Sequence, residues 1–259
     1  MKVYIMTDLE GVSGVCTDEY MDRSLPYYQD SRRYLMGDVN AAIAGAFDGG
    51  ATEVWVRDGH GAGGGNNFIT ELLDPRAEAE KTYFSDWFGT LDETFDVTFF
   101  VGAHAMAGTQ NAFLDHTQSS RAIFEFSVNG REMGEQGQWA LGCGKYDIPL
   151  VLVTGDEAAV AEANAFFPGC QTVAVKQAVC RNRARIYPVA KAQEQIRAAA
   201  AEAMRNADKV APFKLDPPYV CEQVYFRTDM ADGGESRGYE RIGPRTCRKT
   251  IDDPRKCPM

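Results

Sequence analysis

The apolar run Val3-Tyr4-Ile5-Met6 stops abruptly in Thr7-Asp8-Leu9-Glu10-Gly11. A short apolar run bounded by turn residues reads as a buried strand. In extended chain Asp8 and Glu10, two apart, share a face. Two carboxylates side by side at the end of such a strand repel each other and resist leaving water unless positive charge lies between them. A divalent metal ion is the most economical source of that charge. A pair of solvated loop acids is the ordinary alternative for any Asp-x-Glu motif taken alone.

The same punctuation recurs twice. A strand over residues 53–57 ends in Asp58-Gly59-His60, and another over 97–101 ends in Gly102-Ala103-His104. Ahead of these two strands, Val39, Ala42, Ile43, Ala46 and Phe47 fall at helical spacing within residues 30–50, closed by Gly49-Gly50. A short helix over 68–73 is stopped by Asp74-Pro75. Further on come a strand over 121–128 with an Asn129-Gly130 hairpin signal, a helix over 134–144, a strand over 149–154 and a helix over 157–167. A strand over 172–175, a long helix over 188–206 and a last strand over 219–226 complete the series. The alternation predicts an α/β fold, a mainly parallel sheet with helices on both faces plus an antiparallel hairpin element. Residues 1–226 read as a single α/β domain. Residues 227–259 read as a polar C-terminal tail, poorly ordered, edge-forming or involved in assembly.

Charge excludes some functions. The net charge of −10 opposes nonspecific nucleic-acid binding and attachment to an anionic membrane surface. No apolar run approaches the roughly 18 residues of a membrane span, and the opening residues read as a strand rather than a secretory signal. The seven cysteines are an odd number without C-x-x-C spacing, so free thiols in a reducing cytoplasm are the expectation.

In open parallel sheets ligands bind at the carboxyl ends of the strands. If the three strands are neighbours, Asp8, Glu10, Asp58, His60 and His104 converge there. Imidazole with several carboxylates suits zinc or a similar ion, and a pair of ions accounts for the surplus of acids, since one carboxylate can bridge two. Only three histidines exist. The third, His116, lies away from a strand end and reads as a ligand, a general acid or base, or a surface residue. Glu135 stands where a helix begins, a position the helix dipole favours for any carboxylate, and it could equally be a fifth ligand. The glycines of 59–65 lack the Lys-Ser/Thr of a phosphate loop and do not match a dinucleotide fingerprint. Their expected use is to let the backbone pass close to the metal or to form a mobile loop. No G-x-S-x-G nucleophile elbow is present.

With Asp8-x-Glu10-Gly11-x-Ser13-Gly14, Asp58-Gly59-His60, Gly102-x-His104 and Gly134-Glu135-x-Gly137 in this order, the chain resembles peptidase family M55, the D-aminopeptidases of the dipeptide-transport operon type, from residue 1 to about 226. The resemblance implies a two-zinc site that removes the N-terminal residue from short peptides, D-alanyl peptides among them. It implies zinc ligands at Asp8, Glu10, His60, His104 and Glu135, with Asp8 bridging, and a catalytic histidine at His116. It also implies a ring-shaped homo-oligomer. The sequence departs from the family pattern in its glycine-rich loop at 61–67, in Asp115 before the catalytic-type histidine, and in its short basic tail. A zinc aminopeptidase acting on short peptides or amino-acid amides is the first expectation. A binuclear metal amidohydrolase acting on a non-peptide small amide is the alternative, and a non-enzymatic binding module is a third.

Overall fold

The computed structural model describes residues 1–61, 66–81 and 87–257. Strand β1 (Lys2–Thr7) lies near the middle of a seven-stranded sheet. Its neighbours are β2 (Glu53–Asp58) and β4 (Val97–Ala103), both parallel to it, with β3 (Glu78–Lys81) outside β2. Beyond β4 come β7 (Leu150–Asp156) and β8 (Gln171–Cys180), also parallel, and then β9 (Arg183–Ile186), which returns antiparallel along β8. A second, antiparallel sheet holds β5 (Ile123–Val128), β6 (Arg131–Glu132), β10 (Tyr219–Tyr225), β11 (Glu240–Arg241) and β12 (Thr246–Ile251), in the order β11-β12-β10-β5-β6.

Alternation along β1 explains the layers. Val3 and Ile5 join the core under helices α1 (Tyr27–Asp48) and α4 (Val189–Arg205). Tyr4 and Met6 face the opposite way, toward α2 (Glu135–Gly144) and α3 (Glu157–Phe166). With both faces covered, β1, β4 and β7 read as continuous apolar runs. In α4, Ala192, Ile196 and Ala200 recur at helical spacing and are fully buried. The side chain of Asp156 caps α3 by accepting from the Ala159 amide at 2.9 Å. The fold is therefore the expected α/β arrangement. The Asn129-Gly130 turn joins β5 to β6 with both residues at positive φ, 52° and 75°, as a two-residue hairpin of the right twist requires.

Two elements differ from expectation, and the C-terminal segment carries structure at the edge of the second sheet. The stretch 68–73 contains only a single 3-10 turn, Thr70–Leu72. Strand β8 runs to Cys180 and folds back into β9, because its outer half is half-exposed and carries no apolar signal. The polar tail is folded: it forms α5 (Thr228–Ser236), β11 and β12, and β12 pairs with β10 from Tyr219↔Ile251 to Val224↔Thr246. Only Cys247 and Ile251 of β12 are buried, while Arg248 pairs outward with Glu222, so the strand looks polar in sequence. Residues 62–65 of the glycine-rich stretch lie outside the described residues. Among those described, no helix is long and apolar enough to cross a membrane.

Candidate metal centre

The order β2-β1-β4 brings three strand ends to one level, with Thr7 in register with both Asp58 and Val101. The chain leaves β1 through Asp8, whose amide donates to the Val101 carbonyl at 2.8 Å, and Gly11 donates to the Gly102 carbonyl at 2.8 Å. The two turns touch: a Cβ on Gly11 would sit 2.0 Å from the Ala103 carbonyl oxygen, and one on Gly102 (φ +84°) 2.2 Å from that of Asp8. Glycine at both positions lets the turns interlock and fixes where Asp8, Glu10 and His104 emerge.

Asp8, Glu10, His60, His116 and Glu135 line a cleft of about 1070 Å³, and His104, the sixth residue expected from sequence, meets Asp8 and Glu135 beside it. His60 Nδ1 lies 2.9 Å from Asp8 Oδ1 and 3.1 Å from Glu10 Oε2. His104 Nε2 lies 3.3 Å from Asp8 Oδ2 and 3.4 Å from Glu135 Oε1. Asp8 thus turns one oxygen toward each histidine. His116 Nε2 is farther off, 3.9 Å from Glu10 Oε1 and 3.8 Å from Glu135 Oε1. Glu135 is the first residue of α2 and accepts the Gln118 amide at 2.6 Å.

Asp8, Glu10, His60 and His104 are all buried. Burial, reinforced by the charge of Glu10, raises the Asp8 carboxyl above its usual range. Burial works the same way on Glu10, but the charge of His60 beside it outweighs it and holds Glu10 well below the carboxylate range. Burial disfavours the His60 and His104 cations, yet Glu10 and Asp8 around the first and Glu135 and Asp8 around the second push both well above the ordinary imidazole value. In the polypeptide alone, imidazolium supplies the positive charge that the acids demand.

The donor set fits a metal ion. Glu10 Oε2, His60 Nε2 and His104 Nε2 are buried without a hydrogen-bond partner. His104 Nδ1 faces the Ala105 carbonyl at 3.0 Å. A carbonyl only accepts, so Nδ1 carries a proton and Nε2 is the ring nitrogen turned to the acids, the one that would give up its proton to ligate a metal, the usual disposition of a metal-ligating histidine. Asp8, Glu10 and His104 present ligand atoms within 4.8 Å of one another, and so do His104, His116 and Glu135.

Asp58, a potential ligand by its place at a strand end, serves a different purpose. It accepts the Asn67 amide and side-chain amide, each at 2.6 Å, and pins the far end of the loop that carries His60. Other supporting residues gave no motif. Lys176, fully buried, donates to the Glu10 and Val15 carbonyls at 2.6 and 2.8 Å. Asp38 accepts from the Ser13 amide and hydroxyl at 2.7 and 2.5 Å. Glu162 accepts the Met106 amide at 2.7 Å, and burial pushes its carboxyl up to about 7. A lysine inside the apolar run 172–178 was the one visible signal among them.

The comparisons with known proteins agree with this picture. The model of peptidase family M55, described as D-aminopeptidase, matches residues 1–257. A D-aminopeptidase of Bacillus subtilis (strain 168) is 37% identical over 221 residues, which are 84% of this chain and 78% of that protein. The solved structure of the Zn-dependent D-aminopeptidase DppA from Bacillus subtilis, described as a self-compartmentalizing protease, superposes with a TM-score of 0.93 at 31% identity, covering 99% of this chain and 93% of that one.

Proposed function

The chain belongs to peptidase family M55, the D-aminopeptidases, and from that premise we propose that it is a zinc-dependent aminopeptidase that releases the N-terminal residue, D-residues included, from short peptides or amino-acid amides. The observation that carries this reading is Asp8, set between His60 and His104 with one oxygen toward each. A zinc pair would share Asp8, with Glu10 and His60 as further ligands to one ion and His104 and Glu135 to the other. When bound, a zinc pair supplies Lewis-acid polarisation of the scissile carbonyl and a lowered pKa for water.

The rest of the chemistry belongs to the protein. The Nδ1 proton of His116 is donated to the Leu114 carbonyl at 2.7 Å, so Nε2 faces the floor with its lone pair free. That atom takes a proton from the attacking water and returns it to the departing amine. The Gln118 amide fixes one oxygen of Glu135, and Lys176 and Asp38 hold the turn that carries Glu10. These contacts preorganise the charges so that little reorganisation remains at the moment of reaction.

The assembly we propose is a ring-shaped homo-oligomer, on the likeness to the self-compartmentalizing DppA. The proposed location is the cytoplasm, where the seven thiols, all free in the structure, stay reduced. A panel of D- and L-aminoacyl dipeptides, aminoacyl amides and unrelated small amides, offered to zinc-loaded protein, tests the reading. Release of N-terminal amino acids supports it. Turnover confined to non-peptide amides would favour the amidohydrolase alternative instead.

A further inference from the structure

The cleft that holds the buried acids is also lined by the second sheet and the C-terminal segment, through Gln223, Tyr225 and Arg237. Arg237, just past α5, donates through Nη2 to the Tyr225 hydroxyl at 3.4 Å. Tyr225 donates to Gln223 Oε1 at 2.7 Å, and Gln223 Nε2 donates to Gln118 Oε1 at 3.3 Å. The Gln118 side-chain amide passes on to Gln138 Oε1 at 2.6 Å, while the Gln118 backbone amide separately donates to Glu135. The side-chain donors run in one direction, from the arginine inward to Gln138, and Tyr225 and Gln223 are buried. Such a chain holds its members in one orientation. The guanidinium is thereby stationed over the cleft with most of its donors still available.

Arg121, on a different element, lines the same cavity and makes no hydrogen bond or ion pair among the described residues. Arg181 also reaches the cleft, but it is engaged by Asp115 in a 3.0 Å ion pair. A fourth arginine, Arg23, lines the cavity with its guanidinium over the Tyr28 ring at 5.3 Å, and Arg237 and Arg121 share the cleft with the buried acids in a chain whose net charge is −10. Guanidinium is the group that matches a planar carboxylate with paired donors. A carboxylate placed near the floor acids would be repelled, so the arginine wall is where it belongs.

Building on the aminopeptidase reading of the floor, we propose that Arg237 and Arg121 receive the C-terminal α-carboxylate of a short peptide. The segment 227–257 is then a substrate-binding wall as well as part of the second sheet. The enzyme would select peptides short enough to set their amine at the metal floor and their carboxylate on the arginines, and would measure the peptide from both ends.

The test compares one dipeptide as its free acid and as its C-terminal amide, using zinc-loaded full-length protein. The expected result is a kcat/KM about tenfold higher for the acid, expressed mainly in KM. Arg237→Gln and Arg121→Gln, made separately, should each lower the acid-to-amide ratio, and Arg237→Lys should retain part of it. The two arginines stand on different elements, so loss of fold in one variant leaves the other to decide. Equal use of acid and amide by the parent enzyme, or an unchanged ratio in the folded glutamine variants, overturns this inference and leaves the aminopeptidase reading intact. Turnover of neither compound sinks both.

Discussion

The rings of His104 and His116 stack face to face, with centroids 3.8 Å apart and planes 11° from parallel. Their reach differs: His104 Nε2 comes within 3.3 Å of Asp8, whereas His116 Nε2 approaches no acid closer than 3.8 Å. The two rings therefore separate in role. His104→Ala should lose zinc and activity together. His116→Ala should keep nearly all its zinc while kcat falls by about 10²-fold or more. Metal analysis and kcat on the same preparations check this, and loss of zinc from the His116 variant would make it a ligand.

Burial sets a pH dependence at Glu162. Its carboxyl, ordinarily near 4.5, is pushed up to about 7 in the fold. A raised folded pKa contributes stability that is complete below the unfolded value and is lost as pH rises through the folded one. Metal-free protein should therefore weaken between about pH 5 and 8, and Glu162 accounts for at most about 3 kcal/mol of that loss. The raised His60 and His104 act in the same direction. Glu162→Gln keeps an acceptor for the Met106 amide and removes only the Glu162 share. Urea unfolding of both proteins at pH 5 and pH 8 should show a flatter response in the variant.

The interlocked turns predict a contrast between glycines. Gly102 and Gly130 both have positive φ, +84° and +75°. A Cβ on Gly102 would meet the Asp8 carbonyl oxygen at 2.2 Å, while one on Gly130 would meet nothing within 4 Å. Gly130→Ala should cost about 1 kcal/mol, the strain of left-handed backbone alone. Gly102→Ala should cost clearly more, about 3 kcal/mol or beyond, because neither strand can withdraw. Denaturant unfolding of the two variants measures the difference.

Lys176 reaches the site only through backbone. Its ammonium, driven down to about 7 by burial, holds the Glu10 and Val15 carbonyls from behind. Lys176→Met fills the same space and leaves both carbonyls unpartnered. Zinc affinity should fall by roughly 10- to 100-fold, as it does when groups supporting metal ligands are removed. A chelator competition titration reads this directly, and unchanged affinity would confine Lys176 to a structural role.

The legible part of this protein was the part where chemistry and topology coincide. Asp8, His60 and His104 each follow a buried strand, because strand ends in a parallel sheet are where functional groups emerge, and an apolar run ending in such a residue is visible in one dimension. Asn129-Gly130 was legible because its turn demands that dipeptide. Position marks Asp58 as it marks Asp8, and no local pattern shows that the Asn67 and Phe68 amides occupy the Asp58 carboxylate. The second sheet was obscured because β12 buries just Cys247 and Ile251, too few for an alternation to register. The contact that fixes Glu135 comes from a backbone amide at Gln118, and a backbone amide has no residue signature. The approach of Arg237 to the cleft depends on long-range pairing of β10 with β12 and β5, which no local pattern records.

The most direct test is chelation and reconstitution with one dipeptide substrate. Release of the N-terminal amino acid should vanish when zinc is stripped, return in proportion to zinc restored, and reach its plateau at about two ions per chain, as the proposed zinc pair requires. Protein that takes up no zinc, or that cleaves the dipeptide equally well with and without it, would contradict the account.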